Sequence, residues 1–461
     1  MARSSPERPS VADSWERLVS RRTVLKGIAG VAGVSAVPGL AAACSSTSSS
    51  TSSTSSSITA KGGQLTVGSN ASDPAPKGGL AAINDAFTSA NGGTVVKTNT
   101  VDHGTFQDQV SSYLQATPDD AFTWFSGHRM RFFAAQGLAT PIDDVWDSVK
   151  SNFTGAFAES VKGDDGHFYG IPRDYYPWAV FYRKSVFAAH SYQIPTTWDA
   201  FMALCAQMKK DGLTPISMGD KDGWPAQGTF DIINLRLNGY TFHVELCSGK
   251  QKWTDPRVTA VFKKWADLAK YYQTGLAGTT WQQAADMVVR KQAGMYVLGL
   301  FVSDQFKAAG QADLDDLDFF PFPDLGTQYD AEKALDAPID IWMLSKKAPT
   351  LSSDLGQAKA WMKFWAKGST QLTMFQNAPG LIPTANDADT SSYTALQKKA
   401  AQIISNAKRI TQFFDRDSRP DFAGSNGMQS FLLTYLQNPT ADTTSLQGKM
   451  QTFWDSLPPE K

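Results

Sequence analysis

The stretch Tyr169–Leu204, YGIPRDYYPWAVFYRKSVFAAHSYQIPTTWDAFMAL, decides the fold. Tyr169-Gly170-Ile171-Pro172 reads as an extended exit from a turn, because Gly170 admits unusual dihedrals and Pro172 drives Ile171 toward the β region. Ala179-Val180-Phe181-Tyr182 is a short β-prone run, closed by Arg183-Lys184. Thr196 and Thr197 stand ahead of the apolar positions Phe201, Leu204 and Met208 at helical spacing, so either hydroxyl can serve as N-cap. The predicted order is strand, loop, capped helix. Between the extended runs lie Arg173, Asp174, Tyr175, Tyr176 and Trp178. Three rings, an acid and a base at such density suit a pocket between two domains; a hinge whose rings pack against both sides is the other reading.

Outward from this stretch the pattern is regular. Gln64–Gly68, Thr94–Thr98 and Ala121–Phe125 read as strands, separated by helical periodicity over Leu80–Phe87 and at Phe106, Val110, Tyr113 and Leu114. Strands alternating with helices predict an α/β fold with mainly parallel sheets, and ligands in such sheets sit beyond the carboxyl ends of strands. Asn70 follows the first strand, between Ser69 and Asp73; turn chemistry is its alternative. Trp124 and Phe125 end the third strand, followed by Ser126, His128 and Arg129. Arg129 offers forked donors to adjacent hydroxyls, while His128 reads equally as a surface histidine.

Further on, Pro215–Gly219 reads as a buried strand leading to a loop that carries Trp224. Ala285–Phe301 reads as a helix and then a strand ending on the Phe301 ring, and Asp318–Pro323 as a strand returning to the first domain. Asp340 and Trp342 follow on another extended run, Trp342 with core packing as its alternative. Arg416 belongs to the charge-rich Phe414–Pro420, either entering the pocket or solvated. Met428–Leu436 and Leu446–Phe453 are amphipathic helices covering the second domain.

Composition narrows the function. The 461 residues are 42% hydrophobic and 19% charged, ordinary for a globular protein of two or three domains. A formal net charge of −1 leaves no electrostatic footprint for nucleic acid. The 13 Trp, 13 Tyr and 27 Phe exceed what core packing usually asks and point to a ligand surface built of ring faces. No metal-ligand spacing occurs, and the reading calls for no cofactor. Cys205 and Cys247 are compatible with one disulfide or with two buried thiols.

Residues 1–44 read as an address. Ser20-Arg21-Arg22-Thr23-Val24-Leu25-Lys26 before the small apolar run Gly27–Ala43 is a twin-arginine export signal, too short and too rich in Gly and Ala to span a membrane. Leu40–Cys44 resembles a lipobox, with Cys44 as the lipidated residue, although Ala41 stands where the large apolar residue is usual. Residues 45–61 are the tether, since the Ser/Thr tract Ser45–Ser57 cannot bury enough apolar area to fold.

From about Gly63 to the C-terminus, the ordered series Tyr169-Gly170-x-Pro172, aromatic loop, apolar-Tyr182-x-Lys184, Pro195-x-Thr197-Trp198 resembles the extracellular solute-binding proteins of carbohydrate ABC importers, the maltose-binding-protein-like family. The resemblance implies a two-lobed type II binding-protein fold with the ligand cleft between lobes. Residues 62–173 plus 322–377 would form lobe 1, and 174–321 plus 378–461 lobe 2. It also implies stacking by Trp224, and by Phe301 where the family has Trp. It places Trp124 or Phe125, His128 and Arg129 against the ligand, His128 standing where an acid is usual. The paired glycines expected before Trp342 are absent, which leaves Asp340 and Trp342 to reach the ligand. Asp174, Tyr175 and Tyr176 would act from the crossing. The implied partners are a sugar or small oligosaccharide, the importer's permease subunits and a membrane reached through the lipid; the implied state is a monomer. Two other classes fit ring-lined clefts: a glycoside hydrolase, which needs two carboxylates across the scissile bond and has only Asp174 and Asp340 to offer, and a binding protein for amino acids, peptides or polyamines.

Overall fold

The computed structural model of the chain describes residues 58–60, 62–348 and 351–460. The expected twin-arginine signal, Cys44 and the tether up to Ser57 lie outside the described residues.

Two sheets, each with helices against it, make the two lobes. The first is built from β1 (Gln64–Ser69), β2 (Val95–Thr100), β3 (Ala121–Phe125), β4 (Ala139–Thr140) and β5 (Gly170–Tyr175). The second holds β6 (Trp178–Arg183), β7 (Thr214–Ser217), β8 (Ala293–Gly299) and β9 (Leu317–Phe320). The chain then forms β10 (Leu335–Asp336) and returns to the first sheet as β11 (Ile339–Ser345) and β12 (Ile382–Pro383). Last comes β13 (Ile410–Thr411), which pairs with β10 in a two-stranded link. The first sheet runs β12-β5-β11-β3-β1-β2 with β4 beside β11, and the second runs β7-β8-β6-β9.

The sheets are mixed rather than mainly parallel. β1, β2 and β3 are parallel, joined by the helical crossovers that parallel pairing requires. β11 arrives from the second lobe and enters antiparallel to β3 and β5, and β6 is antiparallel to both β8 and β9. Strand pairing also moves the borders. β5 keeps Asp174 and Tyr175 in the first sheet, so the chain crosses at Tyr176-Pro177 rather than at 174, and β12 pairs with Tyr175 and Asp174 although it lies beyond 378.

The local readings explain why these segments form. Thr197 caps the helix Trp198–Lys210, its side chain accepting from Ala200 N at 3.4 Å. Pro74 opens the helix Pro74–Ala90, where its missing N–H costs nothing. Under the first sheet Trp342, Trp361 and Trp365 interlock with ring centroids 4.7–5.8 Å apart. Trp342 is fully buried there, so it is a core residue and not a cleft residue. Cys205 and Cys247 are separate buried free thiols, which removes the disulfide alternative. No described helix is long and apolar enough to cross a membrane.

Candidate functional site

A cavity of about 110 Å³ lies between the lobes. Its first wall is polar and belongs to the first lobe. Asn70, Ala71 and Asp73 follow β1, His103 opens the helix His103–Gln115 after β2, and Arg173 and Asp340 project from β5 and β11. These are the strand ends where an α/β sheet presents ligands. The opposite wall is aromatic: Trp178 on β6, Trp224 ahead of the helix Pro225–Cys247, Trp281 opening the helix Trp281–Val289, and Phe301 just after β8. Tyr176 from the crossing, with Phe413, Asp415 and Arg416 from the last connection, closes the base.

The rings hold one another edge to face. Phe301 meets Trp281 and Tyr176 at 5.1 Å each, nearly perpendicular, and Trp224 at 5.9 Å. Trp178 stacks on Phe413 at 4.8 Å and 22°. Each such pair contributes about 0.5–1.5 kcal/mol beyond the area it buries, so the wall is stiff before any ligand arrives.

The polar wall is a charge network centred on two arginines. Arg416 Nη1 lies 2.7 Å from Asp340 Oδ1, and its Nη2 donates to the Tyr176 hydroxyl at 2.9 Å. Arg173 donates to Asp174 Oδ2 at 2.5 Å and to Asp340 Oδ2 at 3.2 Å. Asp415 sits between Arg416 and Arg129, 3.6 Å from each. Burial opposes the charge on Arg416, but Asp340, Tyr176 and Asp415 outweigh it and hold its pKa above the usual value. Burial raises Tyr176, so its phenol stays protonated. Asp304, also on the cavity wall, is pushed by burial up to about 7, with Gly380 N donating to it at 3.3 Å.

The decisive detail is what remains unmet. Asp340 Oδ1, Asp415 Oδ1 and Arg416 Nε and Nη1 are buried without a hydrogen-bond partner. Asp340 and Arg416 attract each other at 2.7 Å, but out of line for a hydrogen bond. Each of these atoms faces an opposite charge, Asp340 Oδ1 with Arg416 Nη1 and Asp415 Oδ1 with Arg416 Nε at 3.6 Å, and a ligand carrying both hydroxyl donors and oxygen acceptors supplies the aligned hydrogen bonds they lack.

Six of the residues expected at the site line the cavity: Asn70, Tyr176, Trp224, Phe301, Asp340 and Arg416. The other eight do not. Trp124 is buried in the core with its Nε1 donating to Arg129 O. Phe125 lies beneath Arg416, 4.0 Å from ring centroid to guanidinium. Ser126 donates to Gln412 Oε1 at 2.7 Å. His128 faces away from the cavity and pairs with Glu460 at 2.9 Å. Arg129 is buried behind the cavity, on Gln107 and Asp415. Asp174 is held by Arg173, Tyr175 packs on Phe157 at 5.3 Å, and Trp342 is core. The common reason is the strand's alternation and the turn after it: Gly127, at φ 76°, swings the chain away before His128 and Arg129.

Sequence reasoning missed His103, Trp281, Asp304, Phe413 and Asp415. His103 was reachable, since it opens the helix after the second strand, at the same level as Asn70 after the first. Asp415 and Phe413 flank Arg416 closely enough to have been taken with it. Trp281 and Asp304 carried no local signal.

Two α/β lobes, crossed three times by the chain and closing on a cavity of rings facing charged groups, define a solute-binding protein. The chain belongs to the family of bacterial extracellular solute-binding proteins, whose model matches residues 70–370. It is similar to an uncharacterized ABC transporter extracellular-binding protein of Pyrococcus horikoshii, 26% identical over 302 residues covering 65% of each chain. A probable sugar-binding periplasmic protein of Rhizobium meliloti is 24% identical over 290 residues, 60% of this chain and 64% of that one. The chain thus spans slightly less than two thirds of the length of these curated relatives. Among solved structures it is similar to the bacterial solute receptor AcbH, with 42% identity, a TM-score of 0.80, and coverage of 85% of this chain and 98% of that one. AcbH is described as having an exclusive substrate preference for β-D-galactopyranose.

Proposed function

We propose that this protein is the extracellular substrate-binding component of an ABC importer, and that it captures a single pyranose sugar by closing its lobes and hands it to the permease. The observation that carries this is the pairing of an aromatic wall with buried carboxylate and guanidinium atoms that lack hydrogen-bond partners. Rings cover the C–H faces of a sugar, while Asp340 and Asp415 accept its hydroxyl protons and Arg416 donates to its oxygens. The aromatic wall and the charged wall face each other across a cavity of about 110 Å³, which suits a small ligand held on two sides. Given the preference described for AcbH at 42% identity, β-D-galactopyranose is the first sugar to try.

The protein acts as a binder and not as an enzyme in this reading. Asp340 and Asp415 both serve Arg416 and Asp73 accepts from Gln282, so Asp304, whose pKa burial pushes up to about 7, has no free carboxylate to pair with across a glycosidic bond. An amino-acid ligand would need an arginine free of carboxylates, which the cavity does not offer; a polyamine would have to use the cavity's four acids, Asp73, Asp304, Asp340 and Asp415, two of which already hold Arg416. The twin-arginine signal and Cys44 support export and a lipid anchor on the outer face of the membrane. Loss of palmitate labelling and release into the medium on Cys44→Ser test the anchor.

Titration calorimetry of the purified protein against mono-, di- and oligosaccharides, amino acids and polyamines tests the ligand class. A monosaccharide should bind at one per chain, and Trp224→Ala should weaken it at least a hundredfold, the loss of a large ring from the wall. Binding of an amino acid or polyamine with no sugar bound overturns the reading.

A further inference from the structure

The hydrogen-bonding face that Asn70 shows the ligand is set by a chain of side chains behind it. Arg129 Nη1 donates to Gln107 Oε1 at 2.6 Å. A guanidinium only donates, so the oxygen end of the Gln107 amide is fixed on Arg129. Its NH₂ then faces His103 Nε2 at 2.7 Å. An NH₂ also only donates, so Nε2 carries the lone pair and the ring proton sits on Nδ1. Nδ1 lies 3.1 Å from the nitrogen position of the Asn70 amide. Two donors cannot face each other, and the two ends of an amide are told apart only by their partners. The Asn70 oxygen therefore accepts from Nδ1–H, and its NH₂ turns toward the cavity that Asn70 lines.

We propose that His103 is a positioning residue, locked by Arg129 and Gln107 in its Nδ1–H form, which makes Asn70 a donor only. The bound molecule must then offer an oxygen lone pair to Asn70 while giving hydroxyl protons to Asp340 and Asp415. The ligand half of this rests on the sugar reading; the relay itself does not. The surroundings agree with a neutral ring. Burial lowers the His103 pKa and Arg416 adds to that, while Asp340, Asp415, Asp102 and Asp222 oppose it without prevailing. The Phe125 and Trp224 rings each lie 6.0 Å from the imidazole, which is half-buried on the cavity wall.

The test is the tautomer, read by two-bond proton–nitrogen NMR of the five histidines, with His103→Asn identifying the signal by its loss. A protonated Nδ1 and a bare Nε2 at neutral pH are expected; an Nε2–H form or an imidazolium overturns the proposal. In a second variant, Gln107→Glu, a carboxylate accepts from Arg129 and from the ring, which forces the proton onto Nε2 and turns the Asn70 oxygen into the cavity. Affinity for D-galactose should fall at least tenfold with the melting temperature retained. Unchanged affinity in a Gln107→Glu protein whose spectrum shows Nε2–H contradicts the specificity claim. Should D-galactose not bind the unaltered protein, the sugar reading fails, and the spectrum still decides the relay.

Discussion

Asp220 shows how one buried carboxyl shapes the behaviour of the folded chain. Its Oδ1 accepts from Ala226 N at 2.9 Å, at the start of the helix that follows Trp224, and its Oδ2 has no partner. Burial pushes its pKa up to about 7. A pKa raised on folding means the folded state holds the proton more tightly, so this stabilisation is complete below the ordinary carboxylate range and is lost as pH rises through about 7. Asp220→Asn keeps an acceptor for Ala226 N and removes the charge. Its stabilising effect should therefore be larger at pH 8 than at pH 5 by roughly 1–3 kcal/mol, read from urea unfolding at the two values. Equal effects at both would show that the carboxyl is not held neutral. At this scale the sequence was half legible. Trp224, Phe301 and Arg416 stand beside turns and strand ends that mark them, whereas Trp124 and Trp342 carry the same signals and are core. Which face of a strand meets the cleft depends on register, and register is set by partners far along the chain.

Among the elements, the packing of β6 on the helix Pro225–Cys247 fixes the aromatic wall. A Cβ on Gly228 would stand 2.3 Å from the Trp178 ring, so only glycine lets that ring lie flat on the helix. Gly228→Ala must push Trp178 off its stack with Phe413. It should cost about 1–3 kcal/mol of stability and several-fold in ligand affinity, measured by thermal unfolding and titration. A loss of stability with affinity untouched would detach Trp178 from the site. The elements themselves were largely readable: the Thr197 cap, the strand over residues 179–182 and the helix–strand alternation of the first lobe all follow from local chemistry, whereas residues 173–175 read as loop and belong to β5. Strand direction was not, because β11 and β12 join the first sheet only after the chain has visited the second lobe. A return of that kind leaves no mark on neighbouring residues.

Across the whole molecule, polar contacts hold the lobes together, and of the residues that make them all but Asp73 lie outside the cavity lining. Gln282 Nε2 in the second lobe donates to Asp73 Oδ1 in the first at 3.1 Å, and Ser425 Oγ donates to Asp108 Oδ1 at 3.1 Å. Lys307 Nζ reaches the carbonyls of Gln376 and Asn377 at 2.7 and 2.9 Å, at the C-terminus of the helix Gly368–Asn377, where a cation suits the helix dipole. Contacts made only when the lobes are closed add to affinity through the closing equilibrium without touching the ligand. Lys307→Met should thus speed ligand release about three- to tenfold with little change in association, by stopped-flow Trp fluorescence, and should enlarge the ligand-free protein in X-ray scattering. Unaltered release would mean the contact forms equally in both states. The two-lobed plan came from the family resemblance of the ordered series that the crossing stretch carries, but these cross-lobe contacts were not legible, since each joins residues more than sixty positions apart.

A crystal structure of the protein grown with D-galactose tests the central claim most directly. The account predicts one pyranose between the Trp224–Phe301 wall and the Asp340–Arg416 pair, with sugar oxygens within hydrogen-bonding distance of Asp340 Oδ1, Asp415 Oδ1 and the Asn70 amide nitrogen. A sugar bound elsewhere on the chain, or one in the cleft that leaves those three atoms unmet, would contradict it.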